Sequence, residues 1–306
     1  MHIVVAIVGF KNALDIVQCL DSLSRSTHQD FEVFICENGG PDAYAKLQDS
    51  IPAVLTGGQT VRVVEASRNL GYAGGVNVCL AQTPDADGWW VLNPDTEPGE
   101  GALSAMIRRL EKGDCEAVGC TVTFPDGKIQ SYGGLWRNWL ARGELIGDGG
   151  ALEDGVDADL VEGAQAFLNG ASMLIGRRFL EVVGPMREEY FLYCEEVEWC
   201  LRARARGMRL GFAPEGVVLH RHGTTTGAGR AMREKPRAPV YLGERNRLLL
   251  TRDCFGSKFP VVAFTTLAIL LVRCVPRGAW RHLRYGLGGW WAGVRDERGA
   301  PSWIQA

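Results

Sequence analysis

No C-x-x-C pair occurs among the nine cysteines of this 306-residue chain, and nine is an odd number, so neither a disulfide framework nor a zinc ribbon fits. No G-x-G-x-x-G run is present. The first strand-to-helix turn, Gly9-Phe10-Lys11-Asn12-Ala13, lacks the glycine cluster with which a dinucleotide oxidoreductase or a nucleotidyltransferase seats phosphates. The opening residues carry no basic stretch and no cleavage site, so residues 3–8 read as a first strand and not a signal peptide, and a reducing, cytoplasmic compartment is expected. Internal repeats and low-complexity tracts are absent. The charge-free stretch at 259–272 has fourteen residues, short of the roughly twenty that a membrane span needs. With no recognition helix or zinc module, no nucleic-acid partner is expected.

What is present describes a folded globular protein: 46% apolar and 23% charged residues, with length for one large or two small domains. Glycine is in excess, 39 of 306 against a usual share of about 7%, which implies many tight turns and close backbone approaches. The net charge of −3 hides a split. Residues 233–306 hold thirteen Lys+Arg and five Asp+Glu, a local +8, which leaves −11 for residues 1–232. An acidic body with a basic tail points to an anionic surface as a partner. Residues 259–272 beside Arg273, Arg277, Arg281 and Arg284, with Trp280, Trp290 and Trp291 nearby, fit interfacial helices on an anionic membrane, or a buried helix with a basic neighbour.

Four apolar runs rich in β-branched or aromatic residues, at 3–8, 31–36, 60–66 and 88–92, alternate with segments of helical period such as 13–26. Their continuous apolarity predicts strands covered on both faces, hence a parallel α/β sheet with ligands at its carboxyl ends. Further strands are expected at 171–175, 208–213 and 216–219, and helices at 195–206, 241–254 and 276–294. Residues 133–159, Gly-rich and acidic, read as a long functional loop in which Trp136 and Trp139 stack on a sugar ring or clamp one another.

Four constellations carry chemistry. Leu92-Asn93-Pro94-Asp95-Thr96 leaves a carboxylate at a strand end, where a hard cation bridging phosphates can sit, although such a tetrad also occurs in plain turns. Arg68-Asn69-Leu70-Gly71-Tyr72-Ala73-Gly74-Gly75-Val76-Asn77 opens a helix with glycines, either for phosphate approach or for close packing. Glu195, Glu196 and Glu198 crowd a helix start. Crowding raises a carboxyl pKa toward the range of a general base, while Glu198 with Arg202 reads as a structural i,i+4 pair. Finally, His220 and His222 share one side of a strand end, so one of them can complete a metal shell with Asp95.

The order of these elements resembles the family-2 glycosyltransferases, in particular their bacterial rhamnosyltransferase-like branch. The resemblance rests on the opening strand with Asn12, Glu37-Asn38, the 68–77 motif, the 92–96 motif, Asn169-Gly170-Ala171-Ser172-Met173-Leu174-Ile175, residues 195–202, and His220 three residues before Gly223. It covers residues 1 to about 230 and continues weakly through Arg245-Asn246-Arg247. It implies a GT-A fold: a mostly parallel nucleotide-binding sheet flanked by helices. The charge split divides the chain into a transferase domain at 1–235 and a basic, apolar helical extension at 236–306, either membrane-associated or packed internally. It also implies inverting transfer from a nucleotide diphosphate sugar, dTDP-rhamnose or a UDP-sugar, to a glycan or lipid-linked acceptor in surface polysaccharide synthesis, at the inner face of the cell membrane. By position, Glu37 faces the base, and Asn12, Arg68, Asn69, Gly74 and Asn93 bind the donor. Asp95 and His220 hold Mg2+ or Mn2+. Glu196 is the general base, with Glu195 as the alternative. The chain departs from the family's usual Asp at Glu37, Glu196 and Glu198, and has Asn93 where other branches carry the first Asp of a D-x-D motif. A non-catalytic binder of the same fold and a nucleotidyltransferase are the competing readings.

Overall fold

The structure is a computed structural model and describes residues 1–221 and 234–304. The first half alternates strand and helix: β1 (Ile3–Gly9), α1 (Ala13–Leu23), β2 (Phe31–Glu37), α2 (Pro41–Ser50), β3 (Val61–Glu65), α3 (Gly71–Gln82) and β4 (Gly88–Leu92). Next come β5 (Thr96–Pro98), α4 (Ala102–Leu110), β6 (Ala117–Thr123), β7 (Ile129–Ser131), β8 (Gly134–Arg137), β9 (Arg142–Leu145), α5 (Ala158–Ala164), β10 (Ser172–Gly176), α6 (Arg177–Val183), α7 (Glu195–Ala205) and β11 (Leu210–His220). Three helices close the described chain: α8 (Arg237–Phe255), α9 (Phe259–Cys274) and α10 (Trp280–Val294).

Nine strands form one sheet in the order β3-β2-β1-β4-β10-β6-β11-β5, with β7 on β6. β3, β2, β1 and β4 run parallel, as does β11 on β6, while β10 lies antiparallel between β4 and β6. Every residue of β1 and β4 is buried, as their unbroken apolar runs require in a sheet covered on both faces. The strand order reverses between β1 and β4. The crevice outside the carboxyl ends of strands at such a reversal is where open α/β sheets bind ligands.

Two expectations are corrected. The stretch 133–159 is no irregular loop: β8 and β9 pair as an antiparallel hairpin, Gly134 opposite Leu145 through Arg137 opposite Arg142. Its sequence lacks polar-apolar alternation, and its turn uses Ala141 at φ 43° where glycine or asparagine usually signals a hairpin. The two short strands expected at 208–213 and 216–219 are one strand, β11, whose register on β6 shifts between Ala213 and Val217. Pro214 and Gly216 fall inside that irregularity and read as breakers in the sequence.

All nine cysteines are free, seven buried and two, Cys194 and Cys254, half-buried.

Candidate active site

A cleft of about 520 Å³ opens at the strand ends. One wall comes from the sheet. Val8, Phe10 and Asn12 follow β1, and Asn93, Pro94 and Asp95 follow β4. His220 ends β11, paired in register with Thr96, so sheet pairing alone brings residues 124 apart in sequence to one place. Its Nε2 lies 3.3 Å from Asp95 Oδ1 and 3.5 Å from Asn93 Nδ2. Its Nδ1 lies 2.9 Å from Gln130 Oε1, an acceptor that matches a proton on Nδ1, and Nε2 is turned toward Asp95. Asp95 Oδ1 and His220 Nε2, 3.3 Å apart and nearly buried, can share a proton as an ion pair or serve as two ligands of a cation. Among the described residues no group of three or more His, Cys, Asp or Glu is gathered. One carboxylate and one imidazole with open space beside them suit Mg2+ or Mn2+ whose shell is completed by phosphate oxygens and water.

The opposite wall carries Glu195 and Glu196 at the start of α7. The preceding segment is strained. Phe191, Tyr193 and Cys194 have φ of 66°, 75° and 68°, left-handed conformations that cost a non-glycine residue about 1–2 kcal/mol each. Phe191 centres a γ-turn, with Leu192 N donating to Tyr190 O at 2.8 Å.

The strain is held by α8. Asn246, fully buried, shares its two Nδ2 hydrogens among the carbonyls of Tyr190, Leu192 and Tyr193 at 2.9, 2.8 and 2.7 Å. Arg245, also buried, donates to Tyr190 O at 3.0 Å, to Gly299 O at 2.6 Å and to Asn246 Oδ1 at 2.8 Å. From the other side Tyr72 N donates to Phe191 O at 2.7 Å, and Gly71, at φ +73°, leaves room for that carbonyl where a Cβ would collide with it. In the sequence this part of α8 stands out only as the Arg245-Asn246-Arg247 run.

The two glutamates differ from their neighbour on the same helix. Glu198 is buried but paired, with Arg202 at 2.9 Å and Arg187 at 3.3 Å, the structural role expected of it. Glu195 is 2% exposed, and its Oε2 has no hydrogen-bond partner among the described residues. Burial, then the charge of Glu196, pushes its carboxyl well above the usual range. Glu196 is half-buried beside Gly170, and burial raises its carboxyl as well. Tyr72 completes this wall, its hydroxyl donating to Gly170 O at 2.9 Å.

The structure gathers Asn12, Asn69, Asn93, Asp95, Glu195, Glu196 and His220 around the cleft. It leaves three expected donor-binding residues off its lining. Glu37 is buried at the end of β2, where Oε1 accepts from Gly39 N at 2.7 Å and Lys11 N at 3.1 Å and Oε2 has no hydrogen-bond partner among the described residues. Arg68 is exposed. Gly74 is a packing glycine, since a Cβ there would sit 2.7 Å from Leu70 Cβ. Trp136 packs on the core and Trp139 is exposed at the hairpin tip, so neither lines the cleft as a sugar platform. His222 and Gly223 lie outside the described residues. Sequence reasoning missed Gln130, the Tyr72 hydroxyl and the Asn246 clamp.

A model of the family described as Glycosyl transferase family 2 matches residues 4–158. The low-salt glycan biosynthesis hexosyltransferase Agl10 of Haloferax volcanii is 24% identical over 249 residues, covering 79% of this chain and 78% of that protein. The N-acetylglucosaminyl-diphospho-decaprenol L-rhamnosyltransferase of Mycobacterium tuberculosis is 26% identical over 227 residues, covering 68% of this chain and 72% of that protein. Among solved structures, the mannosyltransferase PcManGT from Pyrobaculum calidifontis, in complex with GDP-Man and Mn2+, superposes with a TM-score of 0.57 at 13% identity, covering 97% of this chain and 88% of that one. S. aureus TarS 1–349 gives 0.55 at 12% identity, covering 96% and 81%. These likenesses establish the fold as GT-A, with a helical extension at the carboxyl end.

Proposed function

The chain belongs to glycosyl transferase family 2, and from that premise we propose that it moves a sugar, with inversion, from a nucleoside diphosphate sugar to a hydroxyl of a glycan or lipid-linked acceptor in surface polysaccharide synthesis. The observation that carries this reading is the convergence in one cleft of the Asn93, Asp95 and His220 cluster with the Glu195–Glu196 pair. A relative named for rhamnosyl transfer to N-acetylglucosaminyl-diphospho-decaprenol supports a lipid-linked acceptor and dTDP-rhamnose, beside a UDP-sugar, as donor candidates. A solved transferase holding GDP-Man and Mn2+ supports the class of donor and a divalent cation.

In this reading residues 1–235 are the transferase and 236–306 its extension. Asp95 and His220 hold Mg2+ or Mn2+, which when bound supplies positive charge to the departing diphosphate. Gln130 fixes the His220 ring so that Nε2 faces the cleft. Asn12, Asn69 and Asn93 orient the donor. Glu196, the more open of the two carboxyls, takes the acceptor hydroxyl's proton as its oxygen attacks the anomeric carbon and the bond to the diphosphate breaks. Burial favours the neutral form of Glu195, which disfavours a second negative charge beside that base.

Donor binding and turnover separate the two roles. Thermal stability measured with nucleotide sugars, with and without Mn2+, is expected to rise most with both present, since a ligand of the native state stabilises it by mass action. Asp95→Ala removes the manganese-dependent part of that rise and about a thousandfold of transfer. Glu196→Gln keeps the rise and loses about a hundredfold or more of transfer. A Glu196→Gln protein that turns over at the wild-type rate, or an Asp95→Ala protein stabilised like wild type, overturns the assignment.

A further inference from the structure

Helix α9 wears its polarity inside out. It turns Val262, Thr266, Leu270 and Cys274 into the protein, and its exposed positions, 260, 261, 264, 269, 271 and 272, carry no polar group at all. Phe264 is 73% and Val272 71% exposed. A water-facing helix stripe is ordinarily polar, so this face is built for something other than water.

The apolar surface continues onto two other elements. Trp139, 56% exposed at the tip of the β8–β9 hairpin, is tied to the middle of α9, since Thr265 Oγ1 donates to its carbonyl at 3.0 Å and Lys258 Nζ stands 4.9 Å from its ring centre. On α10, Trp280 and Trp291 are 63% and 54% exposed beside Arg281 and Arg284. The 42 residues from 254 to 295 contain six Lys or Arg and no Asp or Glu.

We propose that this face docks on an anionic lipid bilayer, with α9 lying in the plane of the interface and the hairpin tip as a second anchor. An apolar stripe with exposed tryptophans and a cationic rim is the composition of interfacial helices. The stretch Arg237–Cys274 is long and apolar enough to cross a membrane by length and composition, but it is two helices that meet at residues 256–258. The sixteen residues of α9 reach about 24 Å, less than the roughly 30 Å of a hydrocarbon core, and their other face is already packed on the protein. A second copy of the chain is the poorer occupant, because a two-fold interface would set this cationic rim against itself. Docking also orients the cleft. Arg273 at the end of α9 pairs with Glu244 at 2.7 Å, fixing that end beside the first turns of α8, where Ala238, Pro239 and Leu242 line the cleft.

The test is flotation of the full chain with vesicles of phosphatidylcholine, alone or mixed with phosphatidylglycerol. The chain is expected to float with the mixed vesicles and about tenfold less with phosphatidylcholine alone. Phe264→Glu combined with Val272→Glu abolishes flotation while thermal unfolding and far-ultraviolet circular dichroism stay unchanged, as for any exposed site. Arg281→Glu combined with Arg284→Glu weakens it by about tenfold or more at constant salt. A wild-type chain that remains with the soluble fraction for every vesicle overturns the proposal. So does flotation unaffected by the Phe264 and Val272 changes, or a dimer in light scattering that those changes split while vesicles bind neither form.

Discussion

The two walls of the cleft are held by different physics. Asn93, Asp95 and His220 stand on strand ends whose positions follow from sheet register and from an apolar core in which β1, β4 and β10 are buried throughout. Glu195 and Glu196 follow a left-handed, strained segment pinned by buried polar groups of α8. Apolar burial is non-directional and spread over many residues, so it absorbs small losses. A buried polar clamp is directional, and a group whose partner is removed pays its full desolvation cost. The first wall is therefore robust and the second exacting.

Asn246→Ala is the change that breaks this contrast most sharply. It takes the Asn246 donor from the carbonyls of Leu192 and Tyr193, leaves Tyr190 O to Arg245 and Leu192 N, and frees a segment that costs energy to hold. A base displaced by about an ångström loses about a hundredfold in turnover. Steady-state kinetics should show the loss in kcat with donor KM little changed, because Asp95 and His220 stay where the sheet puts them. An equal loss in donor affinity would mean that the two walls are not independent.

Glu195→Gln probes the same wall through pH. The Glu195 carboxyl is raised in the folded protein and ionises at its ordinary value in the unfolded chain, so the unfolded state gains by losing its proton as pH climbs between the two values. The penalty is absent in acid and grows until the folded carboxyl also ionises. A glutamine has no such penalty. Melting curves over a pH series should show the variant level with wild type below the ordinary carboxylate range and increasingly ahead of it above. A gap independent of pH would place the Glu195 carboxyl elsewhere than in the raised range.

Ile7→Val, at a fully buried site paired with Leu92 on β4, has the smallest effect. It should cost about 1 kcal/mol of stability and leave kcat of the folded protein unchanged. A loss of turnover here would mean that the sheet wall is as exacting as the clamp.

The same division explains what the sequence disclosed. The strands β1 and β4 were legible as unbroken apolar runs, and β2 and β3 as short runs rich in β-branched or aromatic residues; Gly88–Leu92 matches its expected bounds. Asp95 and His220 were legible because each ends a readable strand. Glu198 was legible because its partner Arg202 lies one helical turn away. The clamp was not, because Asn246 and Tyr193 lie 53 residues apart and polar residues on an Arg-rich helix read as a solvated face. Gly74 was ambiguous for a related reason: a glycine that serves helix packing and one that serves a phosphate look alike in a sequence.

The free cysteines give this fold a built-in clock. Burial pushes the thiols of Cys19, Cys120 and Cys200 up to about 12, and those of Cys36 and Cys115 up to about 11, so the native state presents almost no thiolate at these positions to an electrophile. Unfolding exposes all nine sulfurs at once. Alkylation of the purified protein at neutral pH therefore counts opening events, and a sample that opens without reductant has many wrong cross-links to choose from on its way back.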